Sequence, residues 1–271
     1  MTTIALEPAS RWTYAELAEI FNAGYEGYYT PFTLDEAAFR LMSTMWDDDL
    51  DASRVALVDF EPAGICKLAI RGDRGWIAGI GVATAHRGHG LGEELMHGVL
   101  DVARERGLRE VWLEVLVQNT PAIRLYEKLG FEHVRDLEVW TLDGVSGEED
   151  AVRRVPLEQA QERIRRDRTA REPWQRADET VAHLDEVEGS ESDGGAVIHR
   201  SKGGRTSLLQ GVARDEAAAR SLVRAIGDAP LQWLNGPDGD PFNAAIEALG
   251  GTLAHRQHEL LLRLGPAQPV S

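Results

Sequence analysis

The 271-residue chain has a single cysteine, Cys66, which excludes an internal disulfide and a cysteine-based metal cluster. Cys66 lies in the strand-like run Gly64-Ile65-Cys66-Lys67-Leu68-Ala69-Ile70, where a plain buried thiol is expected. No uninterrupted apolar stretch approaches bilayer-spanning length, and the opening MTTIALEPASRW lacks the basic segment and hydrophobic centre of a secretion signal. The expectation is a cytoplasmic protein without membrane attachment. Positive charge is scarce: 29 Lys and Arg face 45 Asp and Glu, a formal net charge of −16, which repels nucleic acid and anionic lipid. The glycine-rich turn at Gly88 to Gly92 lacks a following Gly-Lys-Ser/Thr, excluding an ATP-type phosphate loop there. After Gly88, Gly90 and Gly92 no glycine follows until Gly98, so the dinucleotide fingerprint is missing too.

What is present is a hydrophobic fraction of 43% and a charged fraction of 27%, enough for one large globular core or two ordinary ones. The chain is organised around GVATAHRGHGLGEELMHGVL, Gly81 to Leu100. The apolar run Trp76-Ile77-Ala78-Gly79-Ile80 reads as a strand, and Leu91, Leu95, Met96, Val99 and Leu100 recur at helical spacing. Between them Arg87, Gly88, His89, Gly90, Leu91 and Gly92 form a turn whose backbone N–H groups can approach an anion closely. A structural turn that merely packs a helix on a sheet is the plainer alternative.

In chain order, Thr13 caps a helix over Tyr14–Ala23, followed by the Gly/Pro loop holding Tyr25, Glu26, Tyr28, Tyr29 and Phe32. Leu34–Met45 forms a second helix, and Asp47, Asp48, Asp49 and Asp51 read as a solvent-facing acidic run. Arg54–Asp59 and Ala63–Arg71 make an antiparallel pair. A third strand leads into the Gly90–Arg106 helix, and then come a strand at Glu110–Val117, a helix at Ala122–Leu129 and a strand at Phe131–Leu142 that completes a first sheet. Asp143 to Asp150 is polar and aperiodic, giving a division into 1–143, a linker at 144–155 and a second domain at 156–271. Beyond it a charged helix over Pro156–Arg168 and a flexible loop over Glu188–Gly195 are expected. Strand, strand, helix, strand, helix and strand follow, at 196–199, 206–213, 215–226, 231–234, 242–249 and 252–264. This order repeats the first half, with Leu129-Gly130 matching Leu249-Gly250 and Gly81-Val82-Ala83 echoed by Gly211-Val212-Ala213. The fold class is α/β (α+β).

Two motifs carry a resemblance. Arg87-x-x-Gly90-x-Gly92 after a strand, and Asn119-x-x-Ala122-x-x-x-Tyr126-x-x-x-Gly130-Phe131 about thirty residues on, together resemble the GCN5-related N-acetyltransferase superfamily. The likeness covers Arg11 to Leu142, and the remainder only by its repeated layout. It implies two tandem acyl-CoA N-acyltransferase-like domains, each a mixed, mostly antiparallel sheet flanked by helices. The second copy is degenerate: it has no Arg-x-x-Gly-x-Gly, and Ile246 stands where the first has Tyr126. Tandem copies also occur in mycothiol synthases, where the second copy catalyses; the intact motif here is in the first.

The resemblance implies acetyl-CoA as acyl donor and no metal. Ile80 and Val82 would bond its pantetheine arm, Arg87 to Gly92 its pyrophosphate, and Asn119 the arm or only the entrance of the short helix. Tyr126 would protonate the leaving thiolate, with packing beneath Phe131 as the alternative. Glu114 is the candidate general base, or equally a brace of the sheet, while Glu26, Tyr28, Tyr29 and Phe32 are candidate acceptor contacts. Expected partners are coenzyme A and the primary amine of a small molecule, whose positive charge the acidic first half would attract; a peptide acceptor and a non-catalytic acyl-CoA sensor are the alternatives.

Overall fold

The computed structural model describes residues 3–29, 33–145, 147, 151–226 and 229–265. The chain forms two compact units. One holds Met1–Glu114, Thr120–His133 and Leu260–Ser271; the other holds Val115–Asn119 and Val134–Glu259.

The first unit begins with β1 (Ile4–Pro8), α1 (Tyr14–Gly24) and α2 (Glu36–Trp46). Thr13 and Glu16 form a reciprocal capping box at the start of α1, and Asp35 caps α2 by accepting from the Ala38 N–H. Then come β2 (Arg54–Val58), β3 (Glu61–Arg71), β4 (Arg74–Val82), α3 (Leu91–Glu105), β5 (Glu110–Leu116) and α4 (Thr120–Lys128). The strands lie in the order β1-β2-β3-β4-β5, antiparallel up to β4, with β4 and β5 parallel. That parallel pair is the consequence of the α3 crossover. Leu17, Ala18, Ile20 and Phe21 of α1 pack with Phe39, Val55 and Ile65 as one core cluster.

Of the acidic run after α2, Asp51 is exposed, but the other three aspartates turn to basic side chains. Asp48 and Lys67 pair at 2.7 Å with both side chains fully buried, Asp47 holds Arg71 at 2.7 Å, and Asp49 pairs with Arg106. The Lys67 ammonium lies 5.1–5.4 Å from the ring centres of Phe21, Phe39 and Trp46. A lysine in an otherwise apolar strand needs a carboxylate, and the aspartates supply it from the turn that follows α2.

The second unit takes most of β6 (Glu132–Leu142), then β7 (Arg153–Val155), α5 (Leu157–Asp167), α6 (Asp178–Ala182), β8 (Val187–Ser192), β9 (Gly195–Lys202), β10 (Arg205–Ala213), α7 (Glu216–Ala225), β11 (Leu231–Pro237), α8 (Pro241–Ala248) and β12 (Thr252–Arg263) up to Glu259. Its strands follow the order β12-β6-β11-β10-β9-β8-β7. Two expectations change here. Phe131–Leu142 does not complete the first sheet: from Val134 on it belongs to the second unit, pairing antiparallel with β11 through Leu231↔Leu142 and Trp233↔Trp140. The driving force is burial, since Trp140 and Leu142 sit in a core cluster with Val197, Leu208, Leu222, Trp233 and Phe242. Glu188–Gly195 is not a loop but the β8–β9 hairpin, whose Gly/Ser/acid composition hides a buried Gly189, Ser190 and Glu191. Arg153–Val155, read from sequence as linker, pairs with β8.

Inside each unit the same order recurs: two antiparallel strands, a third, a helix, and a strand parallel to the third. The helix-ending glycines match in conformation as well, Gly130 and Gly250 both having φ 89°. Among the described residues no helix is long and apolar enough to cross a membrane.

Candidate functional site

Parallel pairing of β4 with β5 lasts three residues, Arg74↔Glu110, Gly75↔Val111 and Trp76↔Trp112, and then stops. On its other side β4 keeps its partner β3, with an irregularity at Ala78 between Ile77 and Gly79. The candidate cofactor residues Ile80 and Val82 therefore lie on a stretch of β4 that has left β5. The end of α1 approaches this stretch so closely that a side-chain carbon added to Gly24 would sit 2.8 Å from the Gly81 backbone. Only a glycine pair permits that contact. The buried Tyr25 hydroxyl bonds the Ile80 backbone, and burial pushes its pKa far above the usual tyrosine value.

The loop after β4 delivers α3. Gly90 is its N-cap, at φ 84°, and among the described residues no side chain caps the first turn, where the Glu93 N–H turns back to the Gly90 carbonyl at 2.9 Å. Gly88, His89 and Gly90 are exposed, Leu91 is buried, and Gly92 is half-buried. An added carbon on Gly92 would make only ordinary contacts, 3.8 Å from Leu125 and Val82, so the fold itself does not demand this glycine. Arg87 does not point its charge into the turn as a lone cation. Its guanidinium donates to the carbonyls of Val82 (2.8 Å), Gly24 (3.0 Å) and Glu26 (2.8 Å), tying the loop to the end of α1. Glu93, an acid in the first turn, is held by Lys128 of α4 at 2.6 and 2.8 Å, which keeps its pKa below the usual carboxylate range.

The second unit offers a direct contrast. Its α7 starts at Asp215, whose carboxylate accepts from the Ala218 N–H at 2.8 Å. A negative charge occupies the position that α3 leaves uncapped.

Tyr126 on α4 is 5% exposed, and its ring centre is 5.8 Å from that of Phe131. Burial first, then Tyr25, Cys66 and Tyr28, holds its hydroxyl protonated well above the ordinary tyrosine range. Glu114 on β5 is half-buried and accepts the Trp76 indole N–H at 2.7 Å. Trp76 in turn meets Trp46 edge-on at 5.3 Å. Asn119 directly precedes α4, with its N–H on the Leu116 carbonyl. Glu26 accepts from the Thr84 hydroxyl at 3.3 Å, joining the α1 end to the cofactor loop. Tyr25, Tyr28 and Tyr29 form an edge-on series at 5.0 and 5.5 Å, and Tyr29 is half exposed. Phe32 lies outside the described residues.

Trp76, Trp46 and the Gly24–Gly81 contact were not singled out by the sequence reading. Trp76 looked like one more apolar residue of a strand; its place at the last paired position, opposite an acid two residues past its partner Trp112, is visible only once the parallel register is known.

Residues 14–131 match the Acetyltransferase (GNAT) family. Over 55 residues the chain is 51% identical to the streptothricin acetyltransferase of Streptomyces lavendulae, spanning 20% of this chain and 29% of that protein. It is 39% identical over 88 residues to N-alpha-acetyltransferase 30 of Schizosaccharomyces pombe, spanning 31% of this chain and 59% of that one. The chain thus covers less than two thirds of either relative. A crystal structure of a GCN5-related N-acetyltransferase from Sphaerobacter thermophilus superposes with a TM-score of 0.73 over 98% of both chains at 17% identity, a likeness of fold.

Proposed function

We propose that the protein, whose residues 14–131 match the Acetyltransferase (GNAT) family, transfers acetyl from acetyl-CoA directly to the primary amine of a small molecule. The observation that carries this reading is the uncapped start of α3 behind Gly90, beside a stretch of β4 that has parted from β5. Backbone N–H groups there fit a pyrophosphate, which needs several donors, and the first-turn acid Glu93 is neutralised by Lys128. The second unit, with Asp215 in the equivalent place, is a degenerate copy in a tandem arrangement.

Arg87 shapes the pyrophosphate turn by bonding three carbonyls, leaving the turn's own N–H groups to meet the anion. The backbone of Ile80 and Val82 aligns the pantetheine arm along β4. When the amine nitrogen forms its bond to the thioester carbon, a backbone N–H near Val82 stabilises the oxygen as charge grows on it. As the carbon–sulfur bond breaks, Tyr126, protonated at neutral pH, gives its proton to the departing sulfur. The proton lost by the amine goes to Glu114, oriented by Trp76, directly or through water. The tyrosines Tyr28 and Tyr29, with Glu26, flank the acceptor.

The 51% identity with a streptothricin acetyltransferase supports a small-molecule acceptor, and the likeness to an N-alpha-acetyltransferase supports a peptide terminus as the second reading. An assay of acetyl-CoA with mixed amines and with peptides, reading released thiol and acetylated mass together, separates them. Binding without turnover on any amine would leave a non-catalytic acyl-CoA sensor.

A further inference from the structure

In the second unit β10 and β11 also pair in parallel for three residues, Thr206↔Leu231 to Leu208↔Trp233, and then part. Here the opening has an occupant supplied by the chain. Arg176, 2% exposed at the end of the turn Trp174–Arg176, sends Nε to the Leu209 carbonyl on β10 at 3.1 Å. Its Nη1 reaches the Asn235 carbonyl on β11 at 3.0 Å.

Both acceptors are residues at which a strand leaves its ladder. Leu209 is skipped in the β9–β10 register, and Asn235, at φ 55°, falls in the irregularity of β11 against β6. A buried carbonyl turned out of its ladder needs a donor from elsewhere, and a guanidinium supplies several in one plane. The remaining edges of the group are used as well. Nη2 pairs with the buried Glu172 at 2.9 Å, and the Arg176 guanidinium carbon lies 3.4 Å from the ring centre of Trp233. Gln210 fixes the backbone of the segment, donating to the Arg176 carbonyl at 2.6 Å and to Asp178 at 2.9 Å. Beyond the guanidinium a cavity of about 370 Å³ continues between Gly211, Val212 and Ala213 of β10 and the turn Pro237 to Pro241.

We propose that this opening is a coenzyme groove which the chain has liganded for itself: Arg176 takes the out-turned carbonyls of β10 and β11, so the second unit binds no acyl-CoA, and shortening Arg176 creates a site for a free guanidinium ion. The stoichiometric half rests on the acetyltransferase reading above; the guanidinium half does not. A desolvated, fully bonded arginine stacked on Trp233 cannot withdraw without leaving Glu172 and two carbonyls unpaired.

Thermal unfolding of the full chain tests the second half. Arg176→Ala is expected to melt lower than the wild type and to regain at least about 2 °C in millimolar guanidinium chloride relative to equal sodium chloride. The wild type and Leu222→Ala, a cavity variant in the same unit's core, are expected to show no gain. If Arg176→Ala does not fold, Arg176→Gly/Glu172→Gln replaces it in the same comparison, since it removes the unpaired charge. A gain no larger than that of Leu222→Ala overturns the self-liganded groove. Calorimetry with coenzyme A tests the first half: one molecule per wild-type chain and none for Gly90→Asp are expected. Two per chain, or binding that survives Gly90→Asp, overturns it. A wild type that binds no coenzyme at all would defeat the acetyltransferase reading, and the guanidinium comparison would still decide the role of Arg176.

Discussion

Trp76, in the last backbone pair that joins β4 and β5, meets Glu114, two residues past its partner Trp112, at 2.7 Å. The indole N–H is a single fixed donor, so it holds one carboxylate oxygen at a set place on the parted edge. Replacing Trp76 by Phe keeps a ring against Trp46 and removes the donor. We expect kcat to fall about tenfold with KM for acetyl-CoA unchanged. Glu114→Gln is expected to cost about a hundredfold and to flatten the acidic limb of the pH profile. If its rate and profile match the wild type, Glu114 is a brace and not the base.

Tyr126→Phe should lower kcat far more than it weakens acetyl-CoA binding, because only the departing sulfur uses the hydroxyl proton. Steady-state kinetics beside equilibrium binding distinguishes the two effects. Equal losses in both would assign Tyr126 to packing under Phe131.

Tyr25, Tyr126 and the Cys66 thiol all have pKa values raised by burial. The unfolded chain releases these protons near the ordinary values, about 8.5 for the thiol and about 10 for the phenols, while the folded chain keeps them. Above those values the unfolded state binds fewer protons, so stability is full below about pH 8.5 and declines as pH rises beyond it, by up to about 1.4 kcal/mol per pH unit for each group. Denaturant midpoints measured from about pH 8 to about pH 11 should show this slope, and Tyr126→Phe should lessen it. A flat profile would contradict the burial of all three groups.

The Asp48–Lys67 pair has no solvent on either side chain. Lys67→Met leaves a buried carboxylate without its cation and is expected to cost about 3–5 kcal/mol. The double variant Lys67→Met/Asp48→Asn should recover most of that loss. Denaturant unfolding of the two proteins measures the difference, and equal losses in both would mean that packing of the lysine stem, not its charge, matters there.

Gly90→Asp would place a carboxylate at the start of α3, as Asp215 does at the start of α7. Coenzyme binding is expected to fall below what calorimetry detects, from like charge at the phosphates, with a stability change under about 2 kcal/mol. Asp215→Gly is expected to create no coenzyme binding, because Arg176 still fills the neighbouring opening.

Much of the architecture was legible in the chain. Helical spacing from Leu91 to Leu100 and the pair of motifs around Gly90 and Tyr126 located α3 and α4 and their order, since local periodicity survives whatever packs around it. The failures share a cause in long-range pairing. Asp48 read as solvated because its partner Lys67 lies 19 residues away on a strand. Residues 188–195 read as a loop because glycine, serine and acids are turn formers unless a hairpin buries them. Val134–Leu142 read as closing the first sheet because sequence order favours the nearer neighbour, whereas its partner β11 comes almost a hundred residues later. At the site, Arg87 carries a motif position, yet its contacts are three backbone carbonyls that no spacing rule announces.

The composition of the two units bears on how this polypeptide can be cut. The unit with the uncapped α3 also contains the last stretch of the chain: the Leu264 N–H donates to the Arg109 carbonyl at 2.8 Å, and a side chain on Gly130 would touch Leu262. A stop codon near residue 143 would therefore release a fragment deprived of its closing segment, and a protease nick in the polar stretch there would leave two pieces that still need each other.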